Sequence, residues 1–493
     1  MRFNFSEVSS NVNEVERSFK LHCCSKLRDF VFKYEDLLGK EIWDVLDEEI
    51  QQDPGAFLSA INSYASRKGN LPIYLLIDEY DNFTNTILST YGTEYYQKAT
   101  HGEGFVRGFF NVIKAATTGT GSALQRMFIT GVSPVTMDDV TSGFNIGTNI
   151  TTDPWFNDLV GFSEAELREM LTYYKEQGVL MQTVDETIVM MKPNYDNYCF
   201  SEEKLAQCMF NSDMALYFMK SFVLHHVKPK EIVDPNIRTD FNKLAYLIRL
   251  DHGLGENFSV IKEIAEQGEI TTDIATHFSA LEMTDVRNFK SLLFYFGLLS
   301  IKGVDMVGRP ILHVPNLVVR EQLFSFLIRG YIKHDIFKID MNRMTMLFEN
   351  MAFRGDWKPL FNFIAEAIRE QSRIREYIEG EAHIKGFLLA YLGMYRYYQL
   401  YPEYELNKGF ADFLFKPSPS VPVMPPLTYL LEVKYAKAGA SEKEIRALAD
   451  EAREQLLRYS QDELVAEAKA KGGLKLITIV WCSWELVLLE EVL

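Results

Sequence analysis

The alternation of apolar and polar positions divides the chain into three textures. From Leu71 to Ile77 it reads LPIYLLI, a short continuously apolar run that ends abruptly at Asp78-Glu79. That is the pattern of a strand buried on both faces of a parallel sheet. A second run, Arg126 to Thr130, stops at Gly131, and the amphipathic stretch between the two is long enough for a crossover helix. Residues 1–162 therefore read as an α/β domain.

From Phe162 onward the apolar spacing becomes helical. Ser163 with Glu166 three residues later forms a capping-box signature at a helix N-terminus. Residues 163–345 read as a helical region, within which LLSIKG and PILHVPN predict two strands of a winged-helix-like unit. Residues 346–493 form a third domain, whose texture changes near residue 405 to strand, loop, strand, long helix and strand. Phe410 to Phe415 and Thr428 to Tyr435 are its first two strands, separated by KPSPSVPVMPP, whose prolines cannot join a ladder. Ser441 and Glu444 cap a helix carrying Ile445, Leu448, Ala452, Leu456 and Tyr459 on one stripe, and Leu474 to Trp481 is a buried strand. Tyr395, Tyr397 and Tyr398 have the spacing of residues that pack a helix into a core. No internal repeat is found.

Composition fits this division. A length of 493 residues exceeds one hydrophobic core, and 47% hydrophobic with 24% charged residues is ordinary for a folded protein. The opening MRFNFSEVSS is no signal peptide and no window reaches the ~18 apolar residues of a membrane span, so a cytoplasmic protein without membrane contact is expected. Five cysteines, Cys23, Cys24, Cys199, Cys208 and Cys482, show no C-x-x-C spacing and predict neither a disulfide framework nor a zinc site; Cys482 reads as a buried apolar residue. His225-His226 and His313 have no partners at ligand spacing and read as structural.

The net charge of -17 opposes any nucleic-acid role resting on overall charge. Any basic surface is local: between Lys302 and Met346, seven basic residues against four acidic ones make a mild patch.

The candidate chemistry lies at the C-terminal end. Residues two apart in a strand share a face, so Glu432 and Lys434 in LLEVKY project together while Leu431 and Val433 face the other way. Antiparallel pairing across the proline-rich loop would bring Asp412 beside Glu432, and two adjacent carboxylates repel unless a cation lies between them. A hard cation such as Mg²⁺ takes oxygen ligands and meets substrate phosphate directly. A lysine beside metal-bound water orients the nucleophile. A bare E-x-K is far more often a surface strand with one cross-strand salt bridge.

More than the triplet is present. Glu405, Gly409, Asp412, the E-x-K strand, and a helix bearing Gln455 and Tyr459 occur in an order that resembles the PD-(D/E)XK nuclease superfamily, in the branch fused to an AAA-ATPase-like domain in many bacterial proteins. The resemblance implies metal ligation by Asp412 and Glu432 with support from Glu405, a catalytic Lys434 and an orienting Gln455. Phe410 departs from the pattern, since the family often carries arginine there.

The N-terminal half resembles the same branch. LLIDEYDNF, FITGVSPV, GFNIGTNIT, LVGFSEAEL and NYDNYCFSEEK follow its order. Asp78 and Glu79 then correspond to a Walker B pair, with Thr130 as a sensor-like residue at the end of the next strand, together a nucleotide-binding set. The phosphate-cradling G-x-x-x-x-G-K-S/T is absent from these residues. YEDLLGKE is the nearest candidate, and its Lys40 reads as a surface residue. RFNFSEVSS resembles the strand that follows that loop, so either the chain starts late or the lineage has lost the loop, and ATP binding is expected to be weak or absent.

The resemblance thus implies a truncated P-loop ATPase-like parallel sheet, a helical and winged-helix-like middle region, and a C-terminal restriction-endonuclease-like α/β domain. The function expected is Mg²⁺- or Mn²⁺-dependent hydrolysis of nucleic acid, DNA above RNA, with the ATPase-like domain as scaffold, regulator or protein-binding unit. Two alternatives stay open. One is a non-catalytic nucleic-acid or protein interaction module; the other is an ATP-driven regulator whose phosphate loop is encoded upstream.

Overall fold

A computed structural model describes the chain except at residues 70, 119–120, 141–146, 226–228, 230–255, 334–338, 372–379, 396, 408, 419–420, 422, 472 and 493. The first four residues of GFNIGTNIT, together with His226, Asp335 and Lys338, lie outside the described residues. Met1–Phe156 and Thr272–Leu299 group into one compact unit, and the other described residues into a second. The architecture is mixed α/β.

In the first unit, β1 (Arg2–Asn4), β2 (Ile73–Asp78) and β3 (Leu124–Ile129) form a parallel sheet in the order β1-β2-β3. Asn4 pairs with Asp78 and Ile77 with Ile129. Helices Asn82–Tyr91, Thr93–Thr100 and Phe105–Thr118 make the crossover from β2 to β3. The core beneath the sheet is aromatic: Phe3 on β1 meets Phe109 edge-on at 5.5 Å, and Phe19 meets Phe109 at the same distance. The apolar run at 71–77 predicted burial on both faces, and here the structure differs. Ile73, Leu75 and Ile77 are buried, whereas Tyr74 and Leu76 are 57% and 44% exposed. The helices cover one face of this three-stranded sheet, so alternate residues of an apolar run meet solvent. Thr272–Leu299, which its helical spacing placed with the middle region, belongs to this unit, and the Ala280 N–H donates to buried Asp139 at 3.0 Å.

The second unit opens with helix Glu164–Glu176, where both halves of the Ser163–Glu166 capping box form. LLSIKG and PILHVPN become β5 (Ser300–Val304) and β6 (Pro310–His313), an antiparallel pair. A third strand, β4 (Glu269–Thr271), joins them in the order β4-β6-β5.

The C-terminal sheet has five strands in the order β11-β10-β9-β8-β7: β7 (Tyr398–Leu406), β8 (Gly409–Pro417), β9 (Thr428–Ala436), β10 (Leu474–Cys482) and β11 (Glu485–Glu491). β9 and β10 are parallel, joined by the helix Glu442–Tyr459, and the remaining pairs are antiparallel. Leu414, Leu430 and Leu476 pack with Leu456 and Tyr459 of that helix. On the opposite face Tyr429 donates its hydroxyl to the Met351 carbonyl at 2.8 Å, and Tyr398 meets Phe348 edge-on. Tyr398 therefore starts a strand and does not continue a helix; its ring fills the core from the sheet side. Cys482, expected to be buried, is only half-buried at the end of β10, with its thiol donating to the Lys437 carbonyl at 3.3 Å.

Candidate metal centre

Strand alternation places Glu432 and Lys434 on the face of β9 covered by the helix Glu442–Tyr459, with Leu430 below them in the apolar cluster. The β8–β9 ladder runs Phe415–Tyr429, Leu414–Leu430, Phe413–Leu431. One more step in that register sets Asp412 against Glu432. The Asp412 carboxylate continues the pairing, accepting the Val433 N–H at 2.6 Å. Asp412 and Glu432 are 5% and 2% exposed.

Two carboxyls this deeply buried and this close do not both ionise. Burial, then the neighbouring Asp412 charge, pushes Glu432 up to about 9. Burial also raises Asp412, opposed by Lys385. Lys434 Nζ lies 3.8 Å from Glu432 Oε2 and 3.3 Å from Glu451 Oε1. Gln455 sits one helical turn beyond Glu451, on the same side of the helix. Glu432 Oε1, Gln455 Oε1 and Thr478 Oγ1 are buried polar atoms without a hydrogen-bond partner, and Thr478 is the register neighbour of Glu432 on β10. Such atoms are costly unless something supplies their missing partner.

The arrangement brings Asp412, Glu432 and Lys434 together, with Gln455 on the covering helix. Glu405 does not join them: it is exposed near the end of the β7–β8 ladder, opposite Phe410, and no hydrogen bond or ion pair reaches it from the other three. Among the described residues, no three His, Cys, Asp or Glu side chains converge as a ready ligand set for a metal. The donor chemistry nonetheless fits a hard divalent cation, because a pair of carboxylates and unpartnered amide and hydroxyl oxygens are the ligands such ions take. Gly409 has a steric reason: a Cβ there would lie 2.7 Å from the Tyr459 ring.

One basic residue escapes sequence reasoning. Lys385, on helix Glu381–Leu392, places its ammonium against Asp412, and bonds Glu381 at 2.8 Å and Glu403 at 3.1 Å. Its side chain is 18% exposed. Glu403 reaches it from a left-handed backbone position in β7, φ 44°. A lysine on a helix 27 residues upstream carries no spacing signal that links it to Asp412.

The second candidate centre lies at the C-terminal end of β2. The Thr130 hydroxyl donates to Asp78 Oδ1 at 2.7 Å and Arg2 reaches Asp78 Oδ2 at 3.0 Å. The Thr130 hydrogen bond, then that of Arg2, holds the Asp78 carboxyl below its ordinary range. Glu79 adopts φ 56° and accepts from the Asn82 amide at 3.1 Å. Arg2 is a partner that motif reading missed; its position in β1, parallel to β2, provides the contact.

Comparison with known families agrees with both halves. Residues 1–141 match the predicted AAA-ATPase family model and residues 379–491 match the PD-(D/E)XK nuclease superfamily model. No curated protein and no solved structure matches the chain. The second match suggests a nuclease with a nucleic-acid substrate, and that superfamily typically uses a divalent metal. The chain carries a predicted AAA-ATPase-like domain at residues 1–141 and a PD-(D/E)XK nuclease superfamily domain at residues 379–491.

Proposed function

We propose that the C-terminal domain hydrolyses phosphodiester bonds of DNA in a divalent-cation-dependent reaction at Asp412, Glu432 and Lys434. The observation that carries this reading is the buried Asp412–Glu432 pair, whose Glu432 Oε1 lacks a partner. Two buried carboxyls this close ionise together only where a cation lies between them. Asp412 and Glu432 would hold Mg²⁺ or Mn²⁺, and the bound ion would supply positive charge to a scissile phosphate. Lys434, held by Glu432 and Glu451, orients water and balances charge developing on the phosphate. Gln455, whose buried carbonyl oxygen has no hydrogen-bond partner, would orient polar groups at the site from the covering helix. Lys385 holds Asp412 from the far side, and its positive charge opposes the rise that burial imposes on this carboxyl. Glu405 has no part in this arrangement.

The N-terminal domain serves as scaffold or regulator in this reading. Both Asp78 oxygens are occupied by Thr130 and Arg2, and the residues of this chain contain no phosphate-cradling loop sequence. Calorimetric titration of Mn²⁺ tests the metal assignment. Wild type and Lys434→Ala should bind within a few-fold of one another, because lysine is no ligand, while Asp412→Ala and Glu432→Gln should each lose at least tenfold in affinity. Absence of binding by wild type, or unchanged binding by both carboxylate variants, overturns it.

A further inference from the structure

Outside both candidate centres, two cysteines nine positions apart face each other. Tyr198 and Met209 exchange both backbone hydrogen bonds, Tyr198 N–H to Met209 O at 3.1 Å and Met209 N–H to Tyr198 O at 2.7 Å. The next opposing pair, Cys199 and Cys208, is therefore the kind without mutual backbone bonds, in which Cα atoms lie about 4.5 Å apart and both side chains leave the same face. The backbone of Cys199 agrees with this. Its N–H donates away from Cys208 to Ser300 Oγ at 2.7 Å, and its carbonyl accepts the Ile301 N–H at 3.1 Å. A disulfide requires Cα atoms roughly 4.4–6.8 Å apart with converging Cβ vectors, the spacing and shared face that a position next to the Tyr198–Met209 bridge implies.

The thiols are reduced and in contact through a side-chain hydrogen bond. Cys199 is fully buried, its Sγ also donating to the Ser201 carbonyl at 3.1 Å, while Cys208 is half-exposed with its Sγ 3.4 Å from the Leu205 carbonyl. The Cys208 S–H bond lowers the Cys199 thiol against the opposing effect of burial, and the same bond, with burial, raises the Cys208 thiol, so the proton of the pair rests on Cys208. The remaining thiols differ in kind. Cys23 and Cys24 are successive residues of the helix Val15–Lys33, where neighbours point apart, and burial raises both.

We propose that Cys199 and Cys208 form a reversible dithiol–disulfide site, with Cys208 as the accessible thiol and Cys199 as the resolving one. The co-reactant is a low-molecular-weight disulfide such as glutathione disulfide. Cys208, the thiol open to solvent, passes its proton to Cys199 across their hydrogen bond and attacks one sulfur of that disulfide. This forms a mixed disulfide and releases one glutathione thiolate, which takes that proton from Cys199. The Cys199 thiolate then attacks the Cys208 sulfur and releases the second. One S–S bond breaks and one forms, two protein thiols are oxidised, and glutathione disulfide is reduced to two thiols that carry away the two protons.

The test equilibrates the full chain in glutathione redox buffers, quenches with acid, alkylates free thiols and maps the digest by mass spectrometry. The expected product has lost two hydrogens, contains a Cys199–Cys208 linked peptide and is restored by excess reduced glutathione. Cys208→Ser should abolish the link, and Cys199→Ala should arrest the reaction as a glutathione adduct on Cys208. Full alkylation of both thiols after native exposure to excess glutathione disulfide overturns the proposal, as does a link involving a different cysteine. A link that forms only in denaturant also overturns it.

Discussion

Asp81 shows how much a single buried side chain can hold. It is fully buried, and its carboxylate accepts the Val132 and Ser133 N–H groups, each at 3.0 Å, and the Asn85 amide at 2.7 Å. It thereby ties the segment after β3 to the helix after β2. Asp81→Ala leaves two backbone donors without an acceptor, so a loss of about 2–5 kcal/mol is expected, read as a lower chemical-denaturation midpoint; a loss below about 1 kcal/mol contradicts this account. From the sequence, Asp81 is one letter of LLIDEYDNF and its acceptor role has no signature. Asp412, Glu432 and Lys434 were legible because period-two alternation and one antiparallel register suffice to place them on one face. Lys385 was not, because burial of its ammonium against Asp412 depends on how a distant helix docks.

At the scale of elements, β6 carries the pH prediction. His313 lies between Glu269 of β4 and Ser300 of β5 in register. Burial, then Lys302, lowers its imidazole from 6.5 to about 4, while Glu269 acts in the opposite direction. The folded state therefore binds fewer protons than the unfolded state between these values. The stabilisation is complete above about pH 6.5 and is lost as pH falls through about 4. It amounts to about 1–3 kcal/mol. His313→Gln should flatten the acid limb of a stability-against-pH curve over that window; an unchanged limb contradicts the assignment. Elements with strong periodic or capping signals were readable in advance. The Ser441–Glu444 capping box forms with Ser441 N–H donating to Glu444 at 2.7 Å, and β5 and β6 pair as expected. Three-residue β4 has no periodicity to detect. The start of β7 at Tyr398 was hidden because aromatic residues fill a core equally well from a helix or a strand. The exposed Tyr74 and Leu76 record the same ambiguity, since an apolar run does not say how many faces its sheet will have covered.

At the scale of the molecule, a net charge of -17 coexists with a nuclease-superfamily domain. Long-range charge therefore offers little attraction for a polyanion, and a divalent ion at the carboxylate pair would have to supply attraction locally. Among the described residues no helix is long and apolar enough to cross a membrane. The order of motifs made both family domains readable, whereas the grouping of Thr272–Leu299 with Met1–Phe156 is a tertiary fact with no local signal. The most direct measurement is cleavage of single- and double-stranded DNA by the purified full chain with Mg²⁺ or Mn²⁺, beside Asp412→Ala and Lys434→Ala. The account predicts cleavage by wild type that requires the divalent ion, stops with EDTA and falls at least a hundredfold in both variants. Absence of cleavage by folded, metal-bound wild type, or equal cleavage by all three proteins, would contradict it.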